Sequence, residues 1–364
     1  MICGFPKSTN LSTAVIRFIS SDRCRTLHSV INELIQADII SSKSMLLDTR
    51  GDFADLETVD QEYEWIQFDH NQVLEDLWNE LNPHAKEWWD LLDISDKQSA
   101  ELPSLPGIED ITRLIFICRH LNMENSHQDI VVILPHPHHA IRLLGMAQQG
   151  PFLIENLLEP LLNWWDNTRK SLSAVETLLR IKLPSSQQLR LSAQWRHYFE
   201  YLQTLCSDRM LHRLYLILDG ADQSRLNLMR QLSLCGMNAV TPSGLIMSDL
   251  DSQVMVQISK ELDPSMIELV SSDQLSKAKI ETIESKYKAD LFLDAPHQSI
   301  TIYLPGVNKA ELVIKQSGTT IFLFYLGQKR VIELPETLNA LTCQKGQIKL
   351  GWLTLRFIQP GQNA

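Results

Sequence analysis

A few short segments of the chain carry residue types that could do chemistry. Near the start, C-G-F-P-K-S-T-N-L-S-T (Cys3 to Thr13) begins in the apolar run Ile2 to Phe5 and reads as a strand turning into a helix. Backbone N–H groups at such a turn can receive a phosphate, with the helix dipole behind them. Asp48 ends another apolar run and stands before Thr49, a place where an aspartate caps a helix or turn. Pro135-His136-Pro137-His138-His139 offers imidazoles, common ligands of zinc and copper. Adjacent histidines rarely converge on one ion and no fourth ligand is identifiable, so the segment reads as a proline-stiffened surface loop and no metal site is expected. Asp219 and Asp222 could form a carboxylate pair, but they follow a strand and read as caps of the next helix. The motif G-x-x-x-x-G-K-[ST] does not occur, and no Ser-His-Asp or Cys-His set stands at recognisable spacing. The cysteines (Cys3, Cys24, Cys118, Cys206, Cys235 and Cys343) include no C-x-x-C pair, which points to buried reduced thiols.

These segments need elements to hold them. Met45 to Asp48, Asp129 to Leu134, Leu214 to Asp219 and Gly244 to Met247 are short, continuously apolar runs, each followed by polar or turn residues and then, in most cases, a helical pattern. That alternation predicts an α/β fold with a doubly wound, mostly parallel sheet. Long helical segments over Phe152 to Arg180 and Gln187 to Cys206 exceed a simple crossover and predict a helical subdomain at about 150–206. Its first segment carries a broad apolar stripe (Phe152, Leu153, Leu157, Leu158, Leu161, Leu162, Trp164 and Trp165), which could face either a core or a groove. Val73, Leu74, Leu77, Trp78 and Leu81 predict a further helix ended by Asn82-Pro83. Ser271 to Lys288 reads as an exposed terminal helix, and Asp294-Ala295-Pro296 as a joint. From Ile300 the period changes to two, with glycines between short strands, which predicts a compact all-β sandwich over 297–358.

Charge narrows the function. The net charge is −11, and the segment His297 to Ile358 carries +4, leaving −15 for the rest. An acidic chain argues against nucleic acid as a partner. The stretch Asp52 to Asp110 is the most acidic, opposed only by Lys86 and Lys97. Its tryptophans (Trp65, Trp78, Trp88 and Trp89) therefore read as core-facing rather than as a stacking surface for bases. No long uncharged apolar run and no secretory start is found, which leads to a cytoplasmic expectation.

Three of these segments, in order, carry a resemblance. Leu47-Asp48-Thr49-Arg50-Gly51-Asp52-Phe53-Ala54-Asp55 resembles the first switch of the arsenite-pump and tail-anchored-protein-targeting (ArsA-type) ATPases, and I-L-P-H-P-H-H-A-I-R-L-L (Ile133 to Leu144) resembles their second. I-Y-L-P-G-V-N-K-A-E-L (Ile302 to Leu312), followed by R-V-I-E-L-P (Arg330 to Pro335), resembles the small-heat-shock or α-crystallin-like domain appended to the photosynthetic branch of that family, cyanobacterial or plastid-like. The resemblance implies a P-loop NTPase-like domain over 1–295, an α-crystallin-like domain over 297–358, a homodimer, and a hydrophobic client groove that would involve Leu157, Leu158, Leu161, Trp164 and Trp165. Hydrophobic proteins or membrane proteins would be the clients.

Laid on this chain, the family's loop K-G-G-V-G-K-T falls on Lys7-Ser8-Thr9-Asn10-Leu11-Ser12-Thr13. Lys7 keeps the signature lysine and Thr13 the magnesium-binding hydroxyl, while Ser12 replaces the second lysine and every glycine is gone. Glycines there let N–H groups curl around the β-phosphate. Ile133 stands where a magnesium-holding aspartate belongs, and Met247 where an adenine-contacting asparagine belongs. Asp48 keeps the place that orients the attacking water, with the turn-capping role equally open. ATP and magnesium are thus candidate ligands of a degraded site. The resulting expectation is a non-hydrolysing, protein-binding, chaperone- or targeting-like module. The alternatives are a divergent active ATPase and a structural subunit of a larger assembly.

Overall fold

Parallel strands buried on both faces read as unbroken apolar runs, and such runs build much of the large sheet. The computed structural model describes residues 15–22, 24–36, 40, 44–51, 64–91, 107–121, 129–153, 159–171, 185–188, 193–209, 211–219, 224–248, 252–286 and 288–359. In chain order it places β1 (Val15–Ser21), α1 (Cys24–Gln36), β2 (Met45–Asp48), β3 (Glu64–Gln67), α2 (His70–Leu91), α3 (Ile108–Leu121), β4 (Asp129–Leu134), α4 (Pro137–Leu153), α5 (Glu159–Ser171), α6 (Ala193–Ser207), β5 (His212–Asp219), α7 (Arg225–Met237), β6 (Gly244–Ser248), α8 (Ser252–Ser259), β7 (Glu268–Ser271) and α9 (Lys277–Glu284). The C-terminal strands follow as β8 (Leu291–Asp294), β9 (Ser299–Tyr303), β10 (Val313–Ser317), β11 (Thr320–Tyr325), β12 (Gln328–Glu333), β13 (Thr342–Lys349) and β14 (Trp352–Ile358).

The large sheet has seven strands in the order β3-β2-β4-β1-β5-β6-β7. β1 lies in its middle, parallel to β4 on one side and β5 on the other, and the pairs β2–β4, β5–β6 and β6–β7 are parallel too. The strands expected from Met45, Asp129, Leu214 and Gly244 are present, the run Ile2 to Phe5 lies outside the described residues, and β1, β3 and β7, which the apolar runs did not announce, complete the sheet. α1 packs Leu27, Val30, Ile31 and Leu34 against Ile19, Val131 and Ile217 of the sheet, and Ile280 and Ile283 of α9 join the same core. The segment read as an exposed terminal helix therefore contains a strand end and a helix with a buried face. Among the described residues no helix is long and apolar enough to cross a membrane.

The chain divides into two compact units, one of Met1–Ile66, Ser126–Gly145 and Leu205–Ala364, the other of Gln67–Asn125 and Met146–Thr204. The second unit is helical. In it, Arg119 of α3 reaches Glu80 of α2 at 2.9 Å, and Phe68 packs edge-on against Phe116. Gln203 of α6 donates to the Gln148 carbonyl at 3.1 Å. α2 runs through Asn82-Pro83 to Leu91 rather than stopping there. A proline deletes one N–H donor, and a helix of this length absorbs that local loss.

The first unit holds the parallel sheet and the β-sandwich. The sandwich consists of β10-β11-β12 over β13-β14-β9-β8, with β8 pairing antiparallel to β9 across the turn at Ala295–Gln298. Alternation along β11 sends Ile321, Leu323 and Tyr325 inward to meet Ile300, Ile302, Leu353, Leu355 and Phe357, and Met237 of α7 fills the same core. The Leu304-Pro305-Gly306 turn seats on α7, where a Cβ at Gly306 would fall on the Met229 carbonyl oxygen. Arg330 of β12 donates to the Gly236 carbonyl at 2.6 Å, satisfying the C-terminal end of α7. Trp352 Nε1 donates to Asp263 Oδ2 at 2.7 Å.

Candidate functional site at the carboxyl edge of the sheet

In an open parallel sheet the crevice beyond the carboxyl ends of the strands is where ligands bind, at the point where neighbouring connections diverge. Here that point lies beyond β1, whose neighbours are β4 and β5. The residues that reach it are Ser20, Ser21 and Asp22 from β1, Asp48 to Gly51 from β2, and Pro135 to His139 from β4.

Each is tied down by its neighbours. Thr49 donates both its N–H (2.9 Å) and its hydroxyl (2.7 Å) to the Ile133 carbonyl, which carries the β2–β4 pairing one residue past the strand. Asp48 is fully buried, and its Oδ1 accepts the N–H groups of Arg50 (2.9 Å) and Gly51 (3.3 Å). That is an Asx-turn, so the turn-capping reading of this aspartate has its geometry. Arg50 reaches across to donate to the Ser21 carbonyl at 2.8 Å. The Ser20 hydroxyl donates to the Pro135 carbonyl, and the Asp22 N–H to the Ile217 carbonyl of β5 at 3.3 Å.

The histidine loop opens α4. The His136 carbonyl accepts from His139 (2.8 Å) and Ala140 (2.9 Å), and Pro137 takes the first helical position, where a missing N–H does no harm. Burial lowers the pKa of His136 below the ordinary histidine value; Asp22 pulls it upward, while Arg50, His138 and His139 push it further down. The ring is therefore neutral at pH 7, beside the permanent cation of Arg50. Among the described residues no three His, Cys, Asp or Glu side chains gather at metal-binding distance.

Of the site residues expected from sequence, Asp48 lies in this crevice. Lys7, Ser12 and Thr13 lie outside the described residues, as do Leu157 and Leu158. Leu161, Trp164 and Trp165 are on α5 in the helical unit, with Leu161 and Trp164 exposed, Trp165 half-buried and Leu162 turned inward at 4% exposure. The turn from β1 to α1 was not anticipated. Its signal was present in Val15-Ile16-Arg17-Phe18-Ile19, followed by the helical spacing of Leu27, Val30, Ile31 and Leu34.

No curated protein matches the chain. Residues 296–357 match the HSP20-like domain found in ArsA, and the seven-strand α/β sheet ahead of that domain agrees with an ArsA-type protein that carries it at the C-terminus.

Proposed function

We propose that the chain is a non-hydrolysing relative of the ArsA-type ATPases that works as a protein-binding, chaperone- or targeting-like module. The turn between β1 and α1 carries this reading. Laid on that turn, the family's K-G-G-V-G-K-T runs Ser20-Ser21-Asp22-Arg23-Cys24-Arg25-Thr26; laid on the earlier segment it runs Lys7 to Thr13. Neither stretch has a glycine. The Asp22 N–H is committed to Ile217 instead of facing a phosphate, and Asp22 adds a carboxylate that repels one. At the end of β4, Ile133 is wholly buried and Pro135 follows, so no magnesium-holding carboxylate stands there. The edge does not fit a magnesium-bound triphosphate.

Arg25 and Thr26 keep a cation and a hydroxyl at the last two loop positions, which favours a second reading in which nucleotide binds without being cleaved. Each lost electrostatic contribution to phosphoryl transfer raises the barrier by roughly 3–4 kcal/mol, and several are lost together. Incubation with Mg-ATP should release no phosphate above background, whatever the affinity measured by calorimetry. Steady turnover abolished by Asp48→Asn would defeat the non-hydrolysing reading in favour of a divergent ATPase.

The protein-binding half of the reading rests on α5. Leu161 and Trp164 stand three residues apart on one face and are 55% and 60% exposed, large apolar side chains that ordinary packing would cover. Leu161→Glu combined with Trp164→Ala should leave the melting temperature within a degree or two while abolishing capture of a fluorescent, transmembrane-like apolar helix. A large fall in melting temperature would mean that this face is core.

A further inference from the structure

Two hairpins of the β-sandwich turn on a leucine. Tyr325 pairs with Gln328 and Lys349 with Trp352, so the loops are the dipeptides Leu326-Gly327 and Leu350-Gly351. Leu326 has φ 45° and Leu350 φ 50°, and the glycine after each is also at positive φ. This is the mirror-image turn whose first position suits Asn, Asp or Gly, since a large apolar side chain is strained in left-handed backbone. Both leucines are nevertheless nearly half exposed. Strain and exposure at matching positions of separate hairpins suggest use by something outside the fold.

Both line one depression of about 530 Å³ between α7, the start of the loop after α8 and the sandwich, together with Leu226, which is 58% exposed. Leu326 and Arg230 also wall an adjoining depression of about 330 Å³ that reaches His138 in the β4–α4 loop. The two depressions meet at Leu326 and Arg230 and form one run along α7, in which Leu226, Met229, Ile348 and Leu350 stand among polar side chains. Its charge balance is slightly positive, with Arg225, Arg230 and Lys260 set against Glu261 and Glu311. Arg225 is held by Glu261, and Glu311 accepts from Asn308, but Arg230 and Lys260 are exposed and form no ion pair among the described residues.

We propose that this run is a docking groove for an acidic peptide segment bearing apolar side chains, supplied by a partner protein and lying extended along α7. The leucines would anchor its apolar side chains, and Arg230 and Lys260 would receive its carboxylates. The groove is a different surface from α5 and does not depend on whether nucleotide binds.

The full chain would be titrated with a short fluorescein-labelled peptide alternating leucine and glutamate. Saturable binding that weakens with salt is expected, together with no binding of the counterpart carrying lysine for glutamate. Leu326→Asn with Leu350→Asn should lower affinity about tenfold or more while keeping or raising the melting temperature, because asparagine suits the turn. Arg230→Glu with Lys260→Glu should give a similar loss. The proposal is overturned by absent binding, by equal binding of the basic peptide, or by affinity indifferent to these substitutions. It is equally overturned if anionic phosphatidylglycerol vesicles bind in a leucine-dependent way and the peptide does not, or if the wild type sediments as a dimer that Leu326→Asn dissociates, which would make a second copy the occupant.

Discussion

Arg17→Met should destabilise the first unit by about 3–5 kcal/mol, the usual cost of removing one partner from a buried ion network. Arg17 stands near the amino end of the central strand, its side chain 7% exposed. Its Nε and Nη2 donate to the two oxygens of Glu284 at 2.9 and 3.0 Å, and its Nη1 to Asp129 Oδ1 at 2.9 Å. Burial opposes its charge, but the hydrogen bonds and charges of Glu284 and Asp129 outweigh that and raise its pKa. Tyr215 donates its hydroxyl to Glu284, and Arg213 Nε donates to the Glu284 carbonyl at 2.8 Å, so the network clamps α9 onto β1, β4 and β5. Methionine fills similar space but leaves both carboxylates largely buried without their cation. Urea unfolding of the variant measures the loss. Adding Glu284→Gln and Asp129→Asn should recover much of it, since the penalty comes from stranded charge rather than lost packing. A loss below about 1 kcal/mol, the scale of a surface pair, would mean that the network contributes little to holding the sheet.

The same residue explains what was hidden in the sequence. β2 and β4 were legible because Met-Leu-Leu-Asp and Asp-Ile-Val-Val-Ile-Leu are continuous apolar runs with nothing polar in the middle. β1 was not, because Arg17 breaks its apolar run and Ser20 and Ser21 end it, and a charged residue at the middle of a sheet looks like a loop until its partner is known. That partner lies 267 residues further along the chain. Without β1, the sequence points to a strand-to-helix turn at Cys3 to Thr13 and away from the one that follows Ser20. The candidate site shows the same limit. Asp48 could be named because the segment Leu47 to Asp55 resembles the family's first switch, whereas the Arg50–Ser21 and Ser20–Pro135 contacts join segments that are near only after the sheet forms. The β-sandwich was more legible because its period is two and its turns carry glycine. The conformation of the leucines before two of those glycines was not, since local sequence favours other residues there.

Stability should fall by about 3 kcal/mol between pH 7 and pH 4 on account of His212 alone, and His212→Asn should remove that part of the acid limb. His212 opens β5 at 3% exposure, its ring edge-on to Phe18 and its Nδ1 3.1 Å from the Asp208 carbonyl, to which it donates. Burial is the main reason that its pKa is pushed down to about 4; the hydrogen bond to Asp208 resists this, and the neighbouring charges of Arg209 and Arg213 add to it. The direction of the effect follows from proton counts. Above pH 6.5 the ring is neutral in both the folded and the unfolded chain and contributes no pH dependence. Between pH 6.5 and about 4 the unfolded chain takes a proton that the folded chain refuses, so the folded state loses ground steadily as pH falls, and below about 4 both are protonated and the slope ends. Asp263 adds little in this window, because its carboxylate, drawn down to about 2, starts to lose its stabilising effect as pH nears the ordinary aspartate value and loses most of it below about pH 4. His136 titrates in the same direction at its more exposed position, so the decisive quantity is the difference between wild type and His212→Asn, followed by urea unfolding at several pH values from 7 to 4. Asparagine can still donate to the Asp208 carbonyl, which keeps the packing comparison fair. Parallel acid limbs in the two proteins would show that His212 takes up its proton in the folded state as readily as in the unfolded chain.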